Sequence, residues 1–168
     1  IILEASSHGL KQNRLDGLFF DIGIFTNFSH DHLDYHKNFK DYLKSKLYLF
    51  KHLIKKKGYL IVDSTISQFK EIEKIANKKK LKLETVFGKK SNLELISHKY
   101  KNEQQILKIK YKSKIFEIRL NLIGKIQVKN VLMAVLAATK SNIGMHDIVR
   151  GISKLKPVEG RLEKVGIL

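Results

Sequence analysis

Two short stretches of the sequence combine residue types that bind metals and move protons. The stretch "FTNFSHDHLDYH", residues 25–36, places three histidines and two aspartates within its last seven positions. The stretch "EASSHGLKQNR", residues 4–14, combines a glutamate with two serines, a histidine and a glycine. Imidazole and carboxylate groups at this density could bind a metal ion, act as general bases, or form a polar loop. The residue types alone leave these three alternatives open.

Lys46 has an unexpected place in the helix that the apolar pattern predicts for residues 38–54. At about 100° per residue, Lys46 falls at about −20° from Phe39, inside the apolar stripe that includes Tyr42 and Phe50. A lysine in such a stripe reaches past it to solvent, pairs with a buried carboxylate, or has a specific role. One such role is that of a neutral amine that reacts with carbon dioxide and becomes an anionic carbamate, an oxygen ligand suited to Mg²⁺.

Strands and helices alternate along the first half of the sequence. Apolar runs at residues 1–5, 18–27 and 59–63 predict buried strands, and the helix at 38–54 is expected to stop at Gly58. The helix "ISQFKEIEKIANKKK" and the strand "LKLETVFG" follow. This alternation predicts an α/β fold with a mostly parallel sheet flanked by helices. Both motifs lie at the ends of predicted strands, where ligands bind in open α/β sheets.

From residue 92 onward the pattern changes. The segments "LELISHKY", "QILKIKY" and "KIFEIRLNL" alternate apolar and polar residues, so they predict a small antiparallel β patch. The segment "VKNVLMAVLAATKS" predicts a buried helix, and "MHDIVRGISKL" predicts another. The only proline of the sequence, Pro157, then indicates a domain boundary at "KPVEGR".

The composition excludes several classes of protein. The 168-residue chain has no cysteine, which excludes disulfides and thiolate metal sites. No apolar run approaches the roughly 20 residues of a membrane span. The formal net charge is +17, but the lysines are scattered and no aromatic-rich RNA motif, zinc finger or basic zipper accompanies them. We therefore expect neither membrane insertion nor a nucleic-acid partner, and a basic nucleic-acid-binding module is kept as the alternative from a different class.

Taken together, the motifs resemble those of the Mur ligases, in particular the E-type branch that adds the third peptide residue. The resemblance is carried by "EASSHGLKQNR", "FTNFSHDHLDYH", Lys46 at its spacing from both, "GKIQVKNVLMAVLAA" and "KPVEGRLE". It implies a central ATP-binding domain at residues 1–156, lacking its N-terminal phosphate-loop part. It also implies a hinge and the start of a C-terminal ligase domain at residues 157–168. Because the sequence starts inside an apolar run, we expect flanking domains of the same polypeptide.

The resemblance implies a magnesium site and an ATP site. Glu4, His32 and Lys46 match the metal-binding and catalytic residues of the family, with Lys46 at the position of the carbamylated lysine. The other polar residues of the second motif are expected to orient these ligands and shape the loop; they are His30, Asp31, Asp34 and His36.

The resemblance also implies the residues that hold the two large substrates. Ser6, Gln12 and Arg14 match positions that bind the UDP-MurNAc-dipeptide. Asn130 matches a residue of the adenine pocket, and Arg161 matches an arginine at the domain hinge that reaches the ATP phosphates.

The implied reaction is the ATP-dependent addition of a diamino acid to UDP-MurNAc-L-Ala-D-Glu through an acyl phosphate, in peptidoglycan precursor synthesis in the cytoplasm. Phosphoryl transfer of this kind needs charge neutralisation and alignment rather than covalent help from the protein. The sequence contains no G-x-x-x-x-G-K-[ST] phosphate loop. We therefore predict that the isolated chain is inactive.

Two other enzyme classes are weighed against this interpretation. Folylpolyglutamate synthase is a related ligase with similar magnesium chemistry, but it would not call for the substrate segment "SSHGLKQNR". A dinuclear zinc hydrolase of the HxHxDH type is a weaker alternative. The order His30, His32, Asp34, His36 misses that spacing by one residue, and the further ligands it needs are not evident.

Overall fold

A computed structural model describes residues 1–29, 35–102 and 104–158. The helices are α1 (Ser7–Lys11), α2 (Phe39–Tyr48), α3 (Phe69–Lys79), α4 (Lys125–Lys140) and α5 (Met145–Ile152). The strands are β1 (Phe20–Phe25), β2 (Ile54–Asp63), β3 (Lys82–Val86), β4 (Leu93–Lys101), β5 (Gln104–Tyr111) and β6 (Lys114–Leu120). The chain divides into two compact units: residues 1–62 with 66–83, and residues 63–65 with the chain from residue 84 onward.

Single residues set three of the helix ends in the first unit. The Ser6 Oγ atom accepts a 3.1 Å hydrogen bond from the Gly9 backbone N–H and caps α1. The side-chain carbonyl of Asn38 accepts a 2.9 Å hydrogen bond from the Asp41 N–H and caps α2. Lys80 ends α3 in the left-handed region, with a φ of 54°. Because such an N-cap stabilises a helix by about 1 kcal/mol, the starts of α1 and α2 are encoded locally.

The connection from α2 to β2 brings a helical turn very close to a strand. A π-helical turn, Leu49–Leu53, continues α2, and β2 begins at the next residue. A Cβ atom added to Gly23 in β1 would lie 2.7 Å from the Ile54 Cδ1 atom and 2.8 Å from the Phe50 Cε1 atom. Only glycine leaves room for this approach, so Gly23 fixes how closely the turn packs on β1.

β1 and β2 form a parallel pair in the first unit. Gly23 pairs with Leu60 and Phe25 with Val62, and the register shifts near the start of both strands. The shift coincides with the exposed residues 55–57, where Lys57 has a φ of 65°. The core of the unit lies beside these strands and includes Phe25, Leu47, Phe50, Ile54, Leu60, Val62, Ile72, Ile75, Ala76 and Leu81.

The second unit contains the antiparallel part of the sheet. β3 pairs in parallel with β4, whereas β4, β5 and β6 are antiparallel neighbours. Along β5, Leu107 and Ile109 are fully buried while Lys108 and Lys110 are exposed, as alternation across a half-buried strand requires. α4 begins after Gly124, whose φ of 93° favours glycine, and buries a face that includes Leu132 and Leu136.

The predicted fold class is confirmed. The six strands follow one another in the sheet in chain order, the antiparallel patch is β4 to β6, and helices flank the sheet. Among the described residues, no helix combines the length and apolar character needed to cross a membrane. The proposed division at residue 157 stays a prediction.

Three local predictions differ from the structure. Residues 1–5 were expected to form a strand, but they have no strand conformation and Ile1, Ile2 and Leu3 are exposed. The helix predicted for residues 38–54 ends earlier, in the π-helical turn. Residues 55–57, which the expected stop at Gly58 placed at the end of this helix, lie instead in β2. The lysine side chains of residues 55–57 can reach solvent from the end of a helix or from a strand. The sequence pattern therefore could not distinguish these two structures.

Candidate functional site

Lys46 lies at the C-terminal end of β1, on the last turn of α2. Its Nζ atom donates a 2.9 Å hydrogen bond to the backbone carbonyl oxygen of Asn27. The same atom lies 5.8 Å from the ring centroid of Phe25 and 5.4 Å from that of Tyr42. The ammonium is thus flanked by two aromatic faces, which stabilise a cation, and by a carbonyl dipole. Lys46 is partly buried, which agrees with its predicted place within the apolar stripe of α2.

The first motif folds into the segment around α1. Glu4 is exposed in the irregular segment that precedes the helix. Ser6, predicted to bind substrate, uses its hydroxyl oxygen as the N-cap acceptor of α1. Gln12 follows the helix and donates from Nε2 to the Tyr35 hydroxyl at 2.9 Å. Arg14 is exposed and its backbone N–H donates to the Gly9 carbonyl at 2.9 Å. The helix therefore carries the three predicted substrate residues at or next to its two ends.

A buried imidazole joins the two motifs. The Nε2 atom of His36 lies 3.0 Å from the Ser7 Oγ atom, and both residues are buried. On the other side of the ring, Nδ1 lies 3.6 Å from the Asp41 carboxylate, beyond hydrogen-bond length. Asp41 itself binds the Lys11 ammonium at 2.5 Å. These four side chains link α1 to the start of α2.

The charges of this cluster shift two pKa values. Burial lowers the pKa of His36 below its ordinary value, because the charged imidazolium would lose its hydration. The Lys11 ammonium lowers it further, and the Asp41 carboxylate partly opposes both effects. The hydrogen bond from Lys11 holds the pKa of Asp41 below its usual range, although partial desolvation opposes this. The favoured state therefore has a neutral His36 beside an ionised Asp41.

The second unit carries the predicted ATP residue Asn130, which is exposed on α4. The preceding residue, Lys129, forms a 2.8 Å ion pair with Asp63. Burial would raise the pKa of Asp63, but the hydrogen bonds from Lys129 and Thr65 outweigh this and lower it. Asp63 is therefore an ionised anchor for α4. An open cavity of about 330 Å³ also lies in this unit, lined by residues such as Glu84, Lys90 and Lys140, and none of the predicted site residues lines it.

Two predicted site residues, His32 and Arg161, lie outside the described residues, as do His30, Asp31 and Asp34. Within residues 1–29, 35–102 and 104–158, no group of three His, Asp or Glu side chains is arranged to hold a metal ion. The described donors are nevertheless of the hard oxygen type that Mg²⁺ prefers, with the Glu4 carboxylate as the charged one. Lys46 fits such a donor set only if an anionic oxygen group replaces its ammonium, as in a carbamate.

Some partners of the site carry no recognisable signal in the sequence. Asn27, which holds Lys46 through its backbone carbonyl, and Tyr35, which holds Gln12, were not assigned a role. Ser7 lies within the quoted first motif, but its pairing with His36 joins positions 29 residues apart. The only sequence signal for this contact was that one motif contains serines and the other histidines. The fold determines which serine meets which histidine. His36 was predicted to support the site; the structure shows its contact with Ser7, and the supporting role stays a prediction.

Comparison with solved structures first defines the class of the fold. The structure named "Structure of UDP-N-acetylmuramoyl-L-alanyl-D-glutamate--2,6-diaminopimelate ligase" superposes with a TM-score of 0.85 and 26% sequence identity. The match covers 95% of this chain and 33% of that one. The α/β sheet with its antiparallel β4–β6 patch is therefore a fold that also occurs within the much longer chain of that ligase.

The sequence then places the chain in a family. Residues 1–138 match the family described as Mur ligase middle domain, and the chain belongs to the Mur ligases. It is 33% identical over 165 residues to UDP-N-acetylmuramoyl-L-alanyl-D-glutamate--2,6-diaminopimelate ligase of Rickettsia montanensis, covering 98% of this chain and 34% of the relative. The enzyme of that name from Zymomonas mobilis is 35% identical over 164 residues, again covering 98% of this chain and 34% of the relative. The chain thus spans about a third of the length of the curated relatives it matches.

Proposed function

We propose that the chain is the central segment of an ATP-dependent amide ligase that adds a diamino acid to UDP-MurNAc-L-Ala-D-Glu in peptidoglycan precursor synthesis. The observation that carries the proposal is the place of Lys46, whose amine nitrogen binds the Asn27 carbonyl at the end of a parallel strand. Ligands of open α/β sheets bind at this end of the strands. The names of the relatives at 33% and 35% identity agree with the proposed reaction.

Lys46 is placed differently from a lysine that is only a solvated charge, although the two aromatic faces by themselves favour its ammonium form over an anionic carbamate. A lysine that is only a solvated charge would lie off the apolar face of α2, as the exposed Lys44 does. Lys46 is instead partly buried, with its Nζ atom over the Phe25 and Tyr42 rings. Reaction of the neutral amine with carbon dioxide forms an N–C bond, releases one proton and leaves an anionic carbamate. The Asn27 carbonyl oxygen could then accept the hydrogen bond of the remaining carbamate N–H.

Glu4, His32 and carbamylated Lys46 would hold Mg²⁺. When bound, Mg²⁺ would neutralise the negative charge of the transferring phosphoryl group and of its leaving group. The fold of this chain determines where these ligands lie. Lys46 is fixed by α2 and the end of β1, and Glu4 lies in the irregular segment two residues before Ser6, the N-cap of α1.

The chemistry proceeds in two steps that balance in atoms and charge. An oxygen of the D-glutamyl carboxylate attacks the γ-phosphorus of ATP, so that a C(=O)O–P bond forms and ADP leaves. The amine of the diamino acid then attacks the acyl carbon, phosphate leaves with its bonding electrons, and the amine loses a proton. The protein aligns the reacting groups and neutralises their charge, and such alignment is the main contribution to phosphoryl transfer.

The segment around α1 would hold the muropeptide. Arg14 is exposed and its planar guanidinium suits a bidentate contact with a carboxylate or phosphate of the substrate. Gln12 and Ser6 flank the same helix, so the three groups lie along one short segment. On the nucleotide side, Asn130 on α4 and Arg161 would contact ATP.

Other parts of the polypeptide would complete the enzyme. The relatives are about three times as long as this chain, which covers 34% of them, and the sequence has no phosphate loop of its own. We therefore propose that flanking domains supply the phosphate cradle and the diamino acid site, and that the isolated chain is inactive. The cytoplasm is the proposed compartment, as the resemblance to the family implies.

The experiment tests ligation and the carbamate together. The complete product of the gene that encodes this chain is purified and assayed with UDP-MurNAc-L-Ala-D-Glu, ATP, Mg²⁺ and a diamino acid, with folate and glutamate as a parallel substrate pair. Lys46→Ala and Lys46→Arg should each lower kcat by about 100-fold, as loss of a metal ligand or its support does. Lys44→Ala on the same helix is the matched control and should retain activity.

Carbon dioxide distinguishes a carbamate from an ammonium. Removing dissolved CO₂ should reduce the wild-type rate, and bicarbonate should restore it. A carbamate carbon signal should appear after labelling with ¹³CO₂ and be absent from the Lys46→Arg variant. If Lys46→Arg retains full activity, the carbamate is excluded. Ligation with folate and glutamate, but not with the muropeptide, would instead establish a folylpolyglutamate synthase.

A further inference from the structure

Two adjacent residues, Tyr35 and His36, hold both ends of α1. The His36 Nε2 atom lies 3.0 Å from the Ser7 Oγ atom at the first residue of the helix. The Tyr35 hydroxyl accepts a 2.9 Å hydrogen bond from the Gln12 Nε2 atom at the residue that follows the helix. Between these two contacts, the His8 ring packs on the Tyr35 ring with centroids 3.9 Å apart.

The anchor at His36 is buried, whereas the contact at Tyr35 is near the surface. His36 and Ser7 are 2% and 4% exposed, so their hydrogen bond is shielded from competing water. The His36 ring also stacks on Tyr42 of α2, with centroids 5.0 Å apart. Tyr35 is partly buried, and the Lys11 ammonium lies 5.3 Å from its ring centroid. His36, the buried residue of the pair, therefore rests on α2, and Tyr35 reaches the exposed residue Gln12.

Helix α1 needs such external contacts because it is very short. It has five residues, and isolated helices shorter than about 12 residues are marginal in water. Its capping serine supplies one local hydrogen bond, but the orientation of the segment depends on what the helix packs against. Of the proposed muropeptide residues, Gln12 itself makes the contact to Tyr35, and Ser6 adjoins Ser7, which makes the contact to His36.

We propose that Tyr35 and His36 are positioning residues for the muropeptide-binding segment, acting through Gln12 and Ser7. This inference rests on the proposed ligase function. The hydrogen bond to Tyr35 uses the amide nitrogen of Gln12, which leaves the amide oxygen as the acceptor that Gln12 offers. Gln12 then recognises a hydrogen-bond donor of the muropeptide, such as a peptide N–H or a hydroxyl group.

The test compares substitutions that each delete one hydrogen bond while retaining volume. Ser7→Ala and His36→Phe remove the buried anchor, and Tyr35→Phe removes the contact to Gln12. Tyr48→Phe is the matched control, because the Tyr48 hydroxyl also makes a side-chain hydrogen bond in this unit, to Asp16 at 3.0 Å. The complete gene product is assayed for the KM of the UDP-muropeptide, the KM of ATP, kcat and the melting temperature.

Ser7→Ala, His36→Phe and Tyr35→Phe should each raise the muropeptide KM by about tenfold, the effect of one lost 1.4 kcal/mol contact. The KM of ATP should stay within about twofold, and Tyr48→Phe should change neither constant. His36→Gln places an amide near the position of Nε2, so it should recover most of the muropeptide affinity that His36→Phe loses. Tyr35→Phe keeps its ring, so it serves as the variant that tests the proposal without loss of folding.

The outcomes separate this inference from the function on which it rests. If the wild-type protein does not ligate a diamino acid to the muropeptide, the proposed function fails. If it does, but Tyr35→Phe leaves the muropeptide KM unchanged, the positioning role of Tyr35 is overturned. If His36→Phe raises both KM values equally, and His36→Gln restores neither, His36 acts as an ordinary core residue.

Discussion

The carboxylate of Asp63 lies 2.8 Å from the Lys129 ammonium nitrogen, and the Asp63 side chain is only 7% exposed. Its other oxygen accepts hydrogen bonds from the Thr65 N–H at 2.8 Å and from the Thr65 hydroxyl at 2.6 Å. One carboxylate thus fixes both the turn that follows β2 and the helix that carries Asn130. Because the group is shielded from water, the loss of one partner is more costly than it would be at the surface.

Asp63→Asn should lower the free energy of unfolding by about 2 kcal/mol, since it removes a charged hydrogen bond and leaves Lys129 without its counter-ion. The matched control is Asp21→Asn, which breaks the 2.8 Å ion pair between Asp21 and Lys55. In this pair the Asp21 side chain is 78% exposed and the Lys55 side chain 51%. The control should cost less than about 0.5 kcal/mol. Chemical denaturation measures both, and equal costs would contradict the importance assigned to burial.

The stability of the protein should depend on pH through His36. Its pKa is lower in the folded state than the ordinary value of 6.5, first because of burial and then because of Lys11. The unfolded state therefore binds more protons between the two pKa values. The contribution of His36 to stability is complete above pH 6.5 and is lost as the pH falls from there towards the folded pKa.

Denaturation midpoints measured from pH 8 to pH 5 check this dependence. His36→Phe should reduce the slope of stability against pH over that interval, since the titrating group is absent. Lys11→Met should also reduce it, because the cation that lowers the pKa of His36 is gone. An undiminished slope in both variants would show that other groups cause the pH dependence.

The sequence correctly predicted those elements in which buried and exposed residues alternate in a pattern that is visible within the element itself. The alternation of Leu107 and Ile109 with Lys108 and Lys110 specified β5, and the structure buries the first pair and exposes the second. It could not predict where α2 ends, because the close contact of Phe50 with Gly23 is made between residues far apart in the sequence. Residues 1–5 show the same limit, since a strand requires a hydrogen-bonded neighbour as well as an apolar sequence.

The candidate site was predictable to a similar degree. The periodicity of α2 placed Lys46 on the apolar face, and the structure puts it between two aromatic rings. Its hydrogen bond goes to a backbone carbonyl, that of Asn27, and side-chain chemistry gives no signal for such a partner. The pairing of Ser7 with His36 likewise depends on α1 and α2 packing together. The motifs therefore identified the segments that form the candidate site, whereas the fold determines which of their atoms are in contact.

A methyl group added at Gly23 should destabilise the first unit. In Gly23→Ala the new Cβ atom would lie 2.7 Å and 2.8 Å from atoms of Ile54 and Phe50, which are 5% and 2% exposed. Overpacking of this kind costs about 1–3 kcal/mol. Gly151→Ala is the matched control, because Gly151 lies in α5 and, beyond its chain neighbours and the backbone of its own helix, no described atom lies within 4 Å of the added methyl. It should be neutral or stabilise by up to about 1 kcal/mol, and a reversed order in thermal unfolding would contradict the packing described for Gly23.

Gln105 should control the start of α4, and through it the affinity for ATP. The side chain is 1% exposed; its amide nitrogen donates to the backbone carbonyl oxygens of Leu122 and Gly124, and its amide oxygen lies 2.8 Å from the His98 Nε2 atom. Because the amide nitrogen must donate, the oxygen is the acceptor, and His98 donates from Nε2. Gln105 thus holds the turn from which α4, with Asn130, begins.

Gln105→Leu should lower the free energy of unfolding by about 2 kcal/mol, because two partly buried carbonyls lose their donor and His98 loses its acceptor. It should also raise the KM of ATP while the muropeptide KM stays unchanged, since the proposed muropeptide residues lie in the first unit. Gln104→Leu is the control: Gln104 donates to the Asn121 side chain at 2.7 Å in an exposed position, where water can replace the partner. Steady-state kinetics of the complete gene product give both constants. A Gln105→Leu enzyme with reduced stability but an unchanged KM for ATP would show that the turn held by Gln105 does not affect nucleotide binding.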